Sequence, residues 1–227
     1  MLLCYCPATA TSTAFEKISR VTFGSINNAS TSTAGYEDFT AISGNVYIGA
    51  TMPITVTLAG GFAADQTLVW IDFNKDFDFD DAGELVFTSA NSAGPHTGNI
   101  TIPASVTAGT TRMRVRMHDT SLGANATPCG ASSYGQVEDY TVNLVPCVPA
   151  TVTTQPANAS VACGNNTSFT VALAGSDSSA YWQYRTSTST NWLDVPNTAP
   201  YSGVNTTTLT ITGVNAALYS NYRLPIA

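Results

Sequence analysis

Apolar and polar residues alternate with a period of two along much of this chain. Ile54, Val56 and Leu58 alternate with Thr55 and Thr57, and Val69, Ile71 and Phe73 with Leu68, Trp70 and Asp72. Tyr140, Val142 and Leu144 alternate with Thr141 and Asn143. Successive side chains of an extended backbone point to opposite faces, so each run predicts a β-strand with one buried face. From Thr111 to His118 the alternation is sharper: Met113, Val115 and Met117 share one face, and Arg112, Arg114, Arg116 and His118 the other. An opposing row of Glu138 and Asp139 on the strand ending at Leu144 is the expected partner of that basic face. No long stretch carries helical periodicity, and the chain is read as all-β.

Composition places these strands in an extracellular setting. Only 10% of the 227 residues are charged, and Thr, Ser, Ala, Asn and Gly are abundant. The net charge of −7 comes entirely from residues 1–147, which hold thirteen acidic and six basic residues against two of each in 148–227. An acidic chain without a basic stripe argues against nucleic acid and anionic membrane as partners. No segment has the eighteen or more apolar residues that would predict membrane insertion. Pro146, Pro149 and Pro156 interrupt the strand pattern after Leu144 as an extended connector, so two domains are expected, 1–146 and 147–227. The start, Met1-Leu2-Leu3-Cys4-Tyr5-Cys6, lacks the basic leader and long apolar core of an intact secretion signal, and the chain reads as a fragment.

Between Asp72 and Glu84 stand six carboxylates and the amide of Asn74, with Lys75 as the one cation. Asp72, Asn74, Asp76 and Asp78 recur at every second position, a spacing that offers an oxygen donor at each step of a chain wrapping a hard ion. Without an ion the carboxylates would repel one another and disfavour a compact loop. The run follows the EF-hand pattern D-x-[DN]-x-[DN]-G through its first three ligands and then departs, because Phe77 stands where Gly would allow the turn. Asp80, Asp81 and Glu84 are alternative closing ligands. The expected calcium set is Asp72, Asn74, Asp76, Asp78, Asp81 and Glu84; the plainer reading is a solvated acidic turn.

Catalysis finds little support. His96 lies in a Gly-Pro-His-Thr-Gly turn and His118 ends the arginine strand, and no nucleophile elbow, zinc-protease helix or phosphate loop occurs. The chain is expected not to be an enzyme. Cys4, Cys6, Cys129, Cys147 and Cys163 are odd in number, so one at least stays unpaired within the chain, and spacing alone does not select the bonds. Cys4-x-Cys6 has no second pair with which to hold zinc.

Gly135-Gln136-Val137-Glu138-Asp139-Tyr140-Thr141-Val142, preceded by Pro128-Cys129-Gly130, resembles the signature of the GEVED domain of large secreted and surface proteins in bacteria. Other blocks agree in order: Tyr5-Cys6; Ile18-Ser19-Arg20-Val21 with Gly24; Gly35-Tyr36-Glu37-Asp38-Phe39-Thr40; Trp70-Ile71-Asp72-Phe73-Asn74; Asp81-Ala82-Gly83-Glu84; and Thr111-Arg112-Met113-Arg114-Val115. Gln136 replaces the first Glu of the signature, and Phe77 the Gly usual in the acidic loop. The resemblance implies a β-sandwich without known catalysis, repeated in multidomain proteins exported to the cell surface, often by type IX secretion. It also implies a Cys6–Cys129 disulfide, worth about 4 kcal/mol by loop entropy. Cys163 is left to pair with Cys147 or outside the chain.

The second domain carries immunoglobulin-like spacing. Phe169, Val171 and Leu173 read as strand B, Trp182 as the core tryptophan of strand C, Leu209 and Ile211 as strand E, and Tyr222 as a tyrosine corner. Val171 and Leu224 stand where the inter-sheet cysteines would fall, and no strand G follows. The expected fold is thus a jelly-roll-like β-sandwich followed by an incomplete immunoglobulin-like β-sandwich. The expected role is adhesion or scaffolding at the cell surface, with calcium as structural ion and other domains of the same or neighbouring chains as partners. Two alternatives differ in partner. An open edge would accept a donated strand in a self-assembling fibre. Exposed Trp192, Tyr181, Tyr184 and Tyr201 would serve a carbohydrate-binding module with a surface glycan, or a protein ligand, although such aromatics are more often core.

Overall fold

The computed structural model describes residues 4–175, 181–186, 188–218 and 220–224. The chain divides into two compact units, Met1–Pro146 and Cys147–Ala227. Among the described residues regular structure is almost wholly β, and no helix is long and apolar enough to cross a membrane.

The first unit contains β1 (Ala8–Ser12), β2 (Lys17–Phe23), β3 (Ile26–Ala29), β4 (Tyr36–Ile48), β5 (Thr51–Ala59), β6 (Asp65–Ile71), β7 (Leu85–Thr88), β8 (His96–Thr101), β9 (Gly109–Asp119) and β10 (Gly130–Pro146). One sheet runs β3-β2-β5-β8; the other runs β1-β10-β9-β6-β7, with β4 also on β10. Two strands share one edge of the 17-residue β10, both parallel to it: β1 pairs its first part, from Ala8↔Gly130, and β4 its remainder, from Tyr36↔Val137. Antiparallel β9 occupies the opposite edge of β10.

The facing sheets bury one apolar core. Ile18, Val21 and Phe23 of β2, Ile54 and Val56 of β5 and Ile100 of β8 meet Val69 and Ile71 of β6, Met113, Val115 and Met117 of β9, and Tyr140, Val142 and Leu144 of β10. These are the inward positions of the period-two pattern. The alternation misleads in β6, whose other face, Leu68 and Trp70, is buried as well, against Phe79 with Tyr5 beside it. The N-terminal segment and the acidic loop thus form a partial third layer over the arginine-bearing face.

The second unit contains β11 (Thr151–Thr154), β12 (Thr167–Thr170), β13 (Ala172–Ala174), β14 (Gln183–Thr186), β15 (Leu193–Asp194), β16 (Tyr201–Ser202), β17 (Thr208–Ile211) and β18 (Ser220–Arg223). Its sheets β12-β17-β16 and β15-β14-β18, with β11 on β13, follow the immunoglobulin-like order B-E-D and C′-C-F with A on B. Trp182 is buried and donates its indole N–H to the Thr206 carbonyl at 2.9 Å. Val171 and Leu224 lie with it in one apolar cluster, so packing stands where a disulfide would. The Tyr222 hydroxyl donates to the Leu218 carbonyl, four residues upstream, at 3.4 Å, as a tyrosine corner does. Residues 225–227 lie outside the described residues, and so does any strand G.

Candidate functional site: the acidic loop and the arginine face

β6 delivers the chain into the acidic loop at Asp72, which is fully buried and already engaged. Its Oδ1 accepts the Lys75 N–H at 2.6 Å; its Oδ2 accepts the Tyr5 hydroxyl at 2.5 Å and the Phe77 N–H at 3.2 Å. Burial, then the bond to Asp72, pushes the Tyr5 phenol well above its ordinary range. Alternate Asx side chains then cap successive turns: Asp76 N–H donates to Asn74 Oδ1, Asp78 N–H to Asp76 Oδ1 and Asp80 N–H to Asp78 Oδ1. Such local bonds let Asx residues hold tight turns without a ladder. Phe77 itself takes the left-handed conformation expected of Gly, at φ 75°, and Lys75 does so at 67°. A side chain there costs on the order of 1–2 kcal/mol. Packing of Phe77 on Tyr5, ring centroids 5.7 Å apart, offsets part of that cost.

The loop gathers part of the expected ligand set. Asp76, Asp78 and Asp81 bring one carboxylate oxygen each within 4.8 Å of the other two. The Asn74 amide donates to Asp76 at 2.9 Å and to Asp81 at 2.6 Å, so its nitrogen, not its oxygen, is turned to the acids. Asp72 and Glu84 lie outside this trio. Glu84 is buried, accepting the Phe73 N–H at 2.9 Å through Oε1, while Oε2 has no hydrogen-bond partner. Burial pushes its carboxyl up to about 7; the bond from Phe73 opposes the rise and the Asp72 charge adds to it.

Strand β9 presents its arginines to β10 in register. Arg114 lies opposite Asp139 and grips it twice at 2.8 Å, through Nε to Oδ1 and Nη2 to Oδ2. Its Nη1 donates to the carbonyls of Cys6 and Pro128, both at 2.9 Å. Cys6 and Cys129 are joined as a disulfide, so this guanidinium holds the chain on both sides of the bond. Arg112 reaches Asp139 at 3.4 Å and lies over the Tyr5 ring. Arg116 donates to the carbonyls of Thr9, Cys129 and Gly130; burial, then the Arg114 charge, lowers its pKa to about 10.

Glu138 does not join this row, which corrects the expectation of a paired Glu138 and Asp139. Neighbours in a strand face opposite ways, and Glu138 lies opposite Val115, inside the sandwich. There it accepts the Tyr140 hydroxyl at 2.7 Å. Gln136, in place of the signature's first Glu, accepts the Ile18 N–H at 3.1 Å and donates to the Ala34 carbonyl at 2.9 Å, a pairing that an ionised Glu could not complete. Gly135, at φ 113°, has no room for a side chain, since a Cβ would stand 2.0 Å from the Met117 carbonyl oxygen. The signature is thus read out as strand geometry and internal hydrogen bonds. Residues 66–143 match the GEVED domain.

The GEVED match runs from β6 through the acidic loop and β9 to β10. No curated protein matches the sequence. Solved structures similar to the chain include the chicken CNTN1 FN1-FN3 domains, at 11% identity over 80% of this chain and 55% of that one, TM-score 0.41. Others are a chimeric titin Z1Z2 functionalized with a decorin peptide, at 12% over 91% and 95%, TM-score 0.34, and three N-terminal domains of the bacteriophage RB49 outer capsid protein Hoc, at 11% over 92% and 61%, TM-score 0.32.

The remaining sequence candidates are occupied structurally. His96 contacts the Thr67 hydroxyl at 2.7 Å and the Ser92 carbonyl at 3.0 Å, and His118 Nδ1 accepts the Asn125 N–H at 3.1 Å. Trp192 lies beneath Arg185 and Arg223, with guanidinium carbons 4.9 and 4.2 Å from its ring centroid. Tyr184 and Tyr201 pack against the core of the second unit, and Tyr181 is on the surface. Cys4, Cys147 and Cys163 are free and exposed, so Cys163 does not pair with Cys147. One acid group escaped sequence reasoning: Glu16, Asp65 and Asp119, far apart in the chain and flanked by no motif, converge at the other end of β6. No local spacing announces such a group.

Proposed function

We propose that this chain is a non-catalytic structural and adhesive module of a secreted or cell-surface protein, and that its 72–84 loop takes calcium as a structural ion. The observation that carries the reading is the trio Asp76, Asp78 and Asp81, an oxygen-only donor set on a loop within the GEVED match. Calcium suits such donors, accepting many oxygens in flexible geometry, whereas magnesium sheds water reluctantly and demands a near-ideal octahedron. The unpartnered Glu84 Oε2 is a further oxygen that a small loop rearrangement could recruit. The Cys6–Cys129 bond supports an oxidising compartment, outside the cytosol. The non-catalytic part rests on the use of the ionisable groups: Arg114, Asp139, His96 and His118 spend their polar atoms inside the fold.

The test is thermal unfolding of the full chain in calcium and in excess chelator. With a dissociation constant of ~10–100 µM and ~1 mM free calcium, binding stabilises the first unit by roughly 1.4–2.7 kcal/mol, a rise of several degrees in its midpoint. Magnesium does not reproduce the rise, and Asp76→Asn with Asp78→Asn abolishes the loop's share of it. A loop share of zero in the unsubstituted chain would sink the calcium reading.

A further inference from the structure

A second group of acids closes the end of the first sandwich opposite the loop. Asp65 opens β6 and Asp119 ends β9, and strand register sets them directly opposite one another. Glu16, in the connection between β1 and β2, adds a third carboxylate, and one oxygen from each lies within 4.8 Å of the other two. All three are buried, with exposures of 3% for Glu16, 0% for Asp65 and 8% for Asp119. Like charges directly across a strand pair destabilise it, and burial without compensation raises the cost further.

Hydrogen bonds compensate only part of this charge. Asp65 Oδ2 accepts the Phe62 N–H at 2.7 Å, and Asp119 Oδ1 accepts the N–H and hydroxyl of Ser121, both at 2.6 Å, and the Leu122 N–H at 3.2 Å. Among the described residues no Lys or Arg forms an ion pair with any of the three. Glu16 Oε1 and Asp65 Oδ1 remain buried with no hydrogen-bond partner. Buried carboxylates are ordinarily paired, coordinate a metal or hold a proton, and here two such oxygens converge with a third carboxylate, an arrangement that one cation would neutralise.

We propose that Glu16, Asp65 and Asp119 form a second, buried divalent-cation site that takes calcium. Donors within 4.8 Å of one another fall inside the ~5 Å that separates oxygens on opposite sides of a calcium ion bonded at 2.3–2.6 Å. An all-carboxylate set excludes metals that want thiolate or imidazole. The ion would tie the β1–β2 connection to the adjoining ends of β6 and β9, fastening both sheets at one end of the sandwich. Glu16 and Asp119 line a cavity of about 410 Å³ whose rim includes the exposed Phe15, Phe62 and Leu122, which gives the ion a way in. At ~3.3 Å per residue, the seven-residue β6 holds this site ~20 Å from the acidic loop, so the two ions bind independently.

The test counts calcium ions on the full chain by isothermal titration calorimetry, with circular dichroism to verify the fold of each variant. A chain carrying Asp76→Asn and Asp78→Asn still binds one ion. Adding Glu16→Gln, which keeps the side-chain shape, lowers that affinity at least tenfold, and Asp119→Asn does the same as a second variant. Should the loop not bind calcium, the unsubstituted chain binds one ion and Glu16→Gln removes it, so failure of the loop reading leaves the buried site standing. A folded, loop-substituted chain that binds no calcium at 5 mM, or binds it equally well with and without Glu16→Gln, overturns the proposal.

Discussion

Asp139 and Glu138 are neighbours with opposite fates, and each supports a prediction. Asp139 is fully buried and neutralised by Arg114, itself 2% exposed. Asp139→Ala leaves that guanidinium buried without its anion, and the expected loss is about 3–5 kcal/mol in urea unfolding. Glu138 has no cation; burial pushes its carboxyl up to about 7, with the Tyr140 hydroxyl opposing the rise and the Glu37 charge adding to it. In the unfolded chain the same carboxyl ionises near 4.5. Between those values the fold holds a proton that the unfolded chain has released, so this residue's contribution falls as pH rises from about 4.5 to 7. The lowered pKa of His118 acts in the opposite direction, stabilising the fold as pH rises toward 6.5. Comparison with Glu138→Gln in chelator separates the two. The unsubstituted chain should lose on the order of 2–3 kcal/mol relative to the variant across the window, and parallel pH profiles would contradict this assignment.

Alternation read the strands correctly where one face meets the core and the other meets solvent, as in β5 with Ile54 and Val56 inward. It served less well in β6 and β9, because the N-terminal segment and the acidic loop fold back and bury the outward face as well. Tyr5, sixty-seven residues before its hydrogen-bond partner Asp72, shows why: contact between distant segments leaves no local period. The acidic loop was legible as an oxygen-rich run, since Asx turns are set by neighbours two residues apart. Which oxygens converge was not, because Asp72 is drawn to Tyr5 and two backbone N–H groups, and Glu84 to Phe73. The link between Cys6 and Cys129 spans 123 residues just before β1 and β10 begin to pair. Opening it in a Cys6→Ser, Cys129→Ser variant should cost the first unit about 4–5 kcal/mol by loop entropy, seen as a lower urea midpoint. An unchanged midpoint would mean that Arg114 and the β1–β10 ladder suffice alone.

Across the molecule, two sandwiches solve the same packing problem by different means. The first adds a disulfide and buried arginines to its apolar core; the second relies on Trp182, Val171, Leu209 and Leu224 without a crosslink. Much of this was determined by sequence alone: all-β character, the inward faces of β5, β9 and β10, the immunoglobulin-like placement of Trp182 and Tyr222, and the acidic run. These follow from side-chain alternation and turn chemistry, which act within a few residues. Tertiary structure alone decided that β1 and β4 share one edge of β10, that Asp139 meets Arg114, and that Glu16, Asp65 and Asp119 converge. Strand pairing joins residues scores of positions apart, and the register it selects, unlike a local period, determines which charges must face one another.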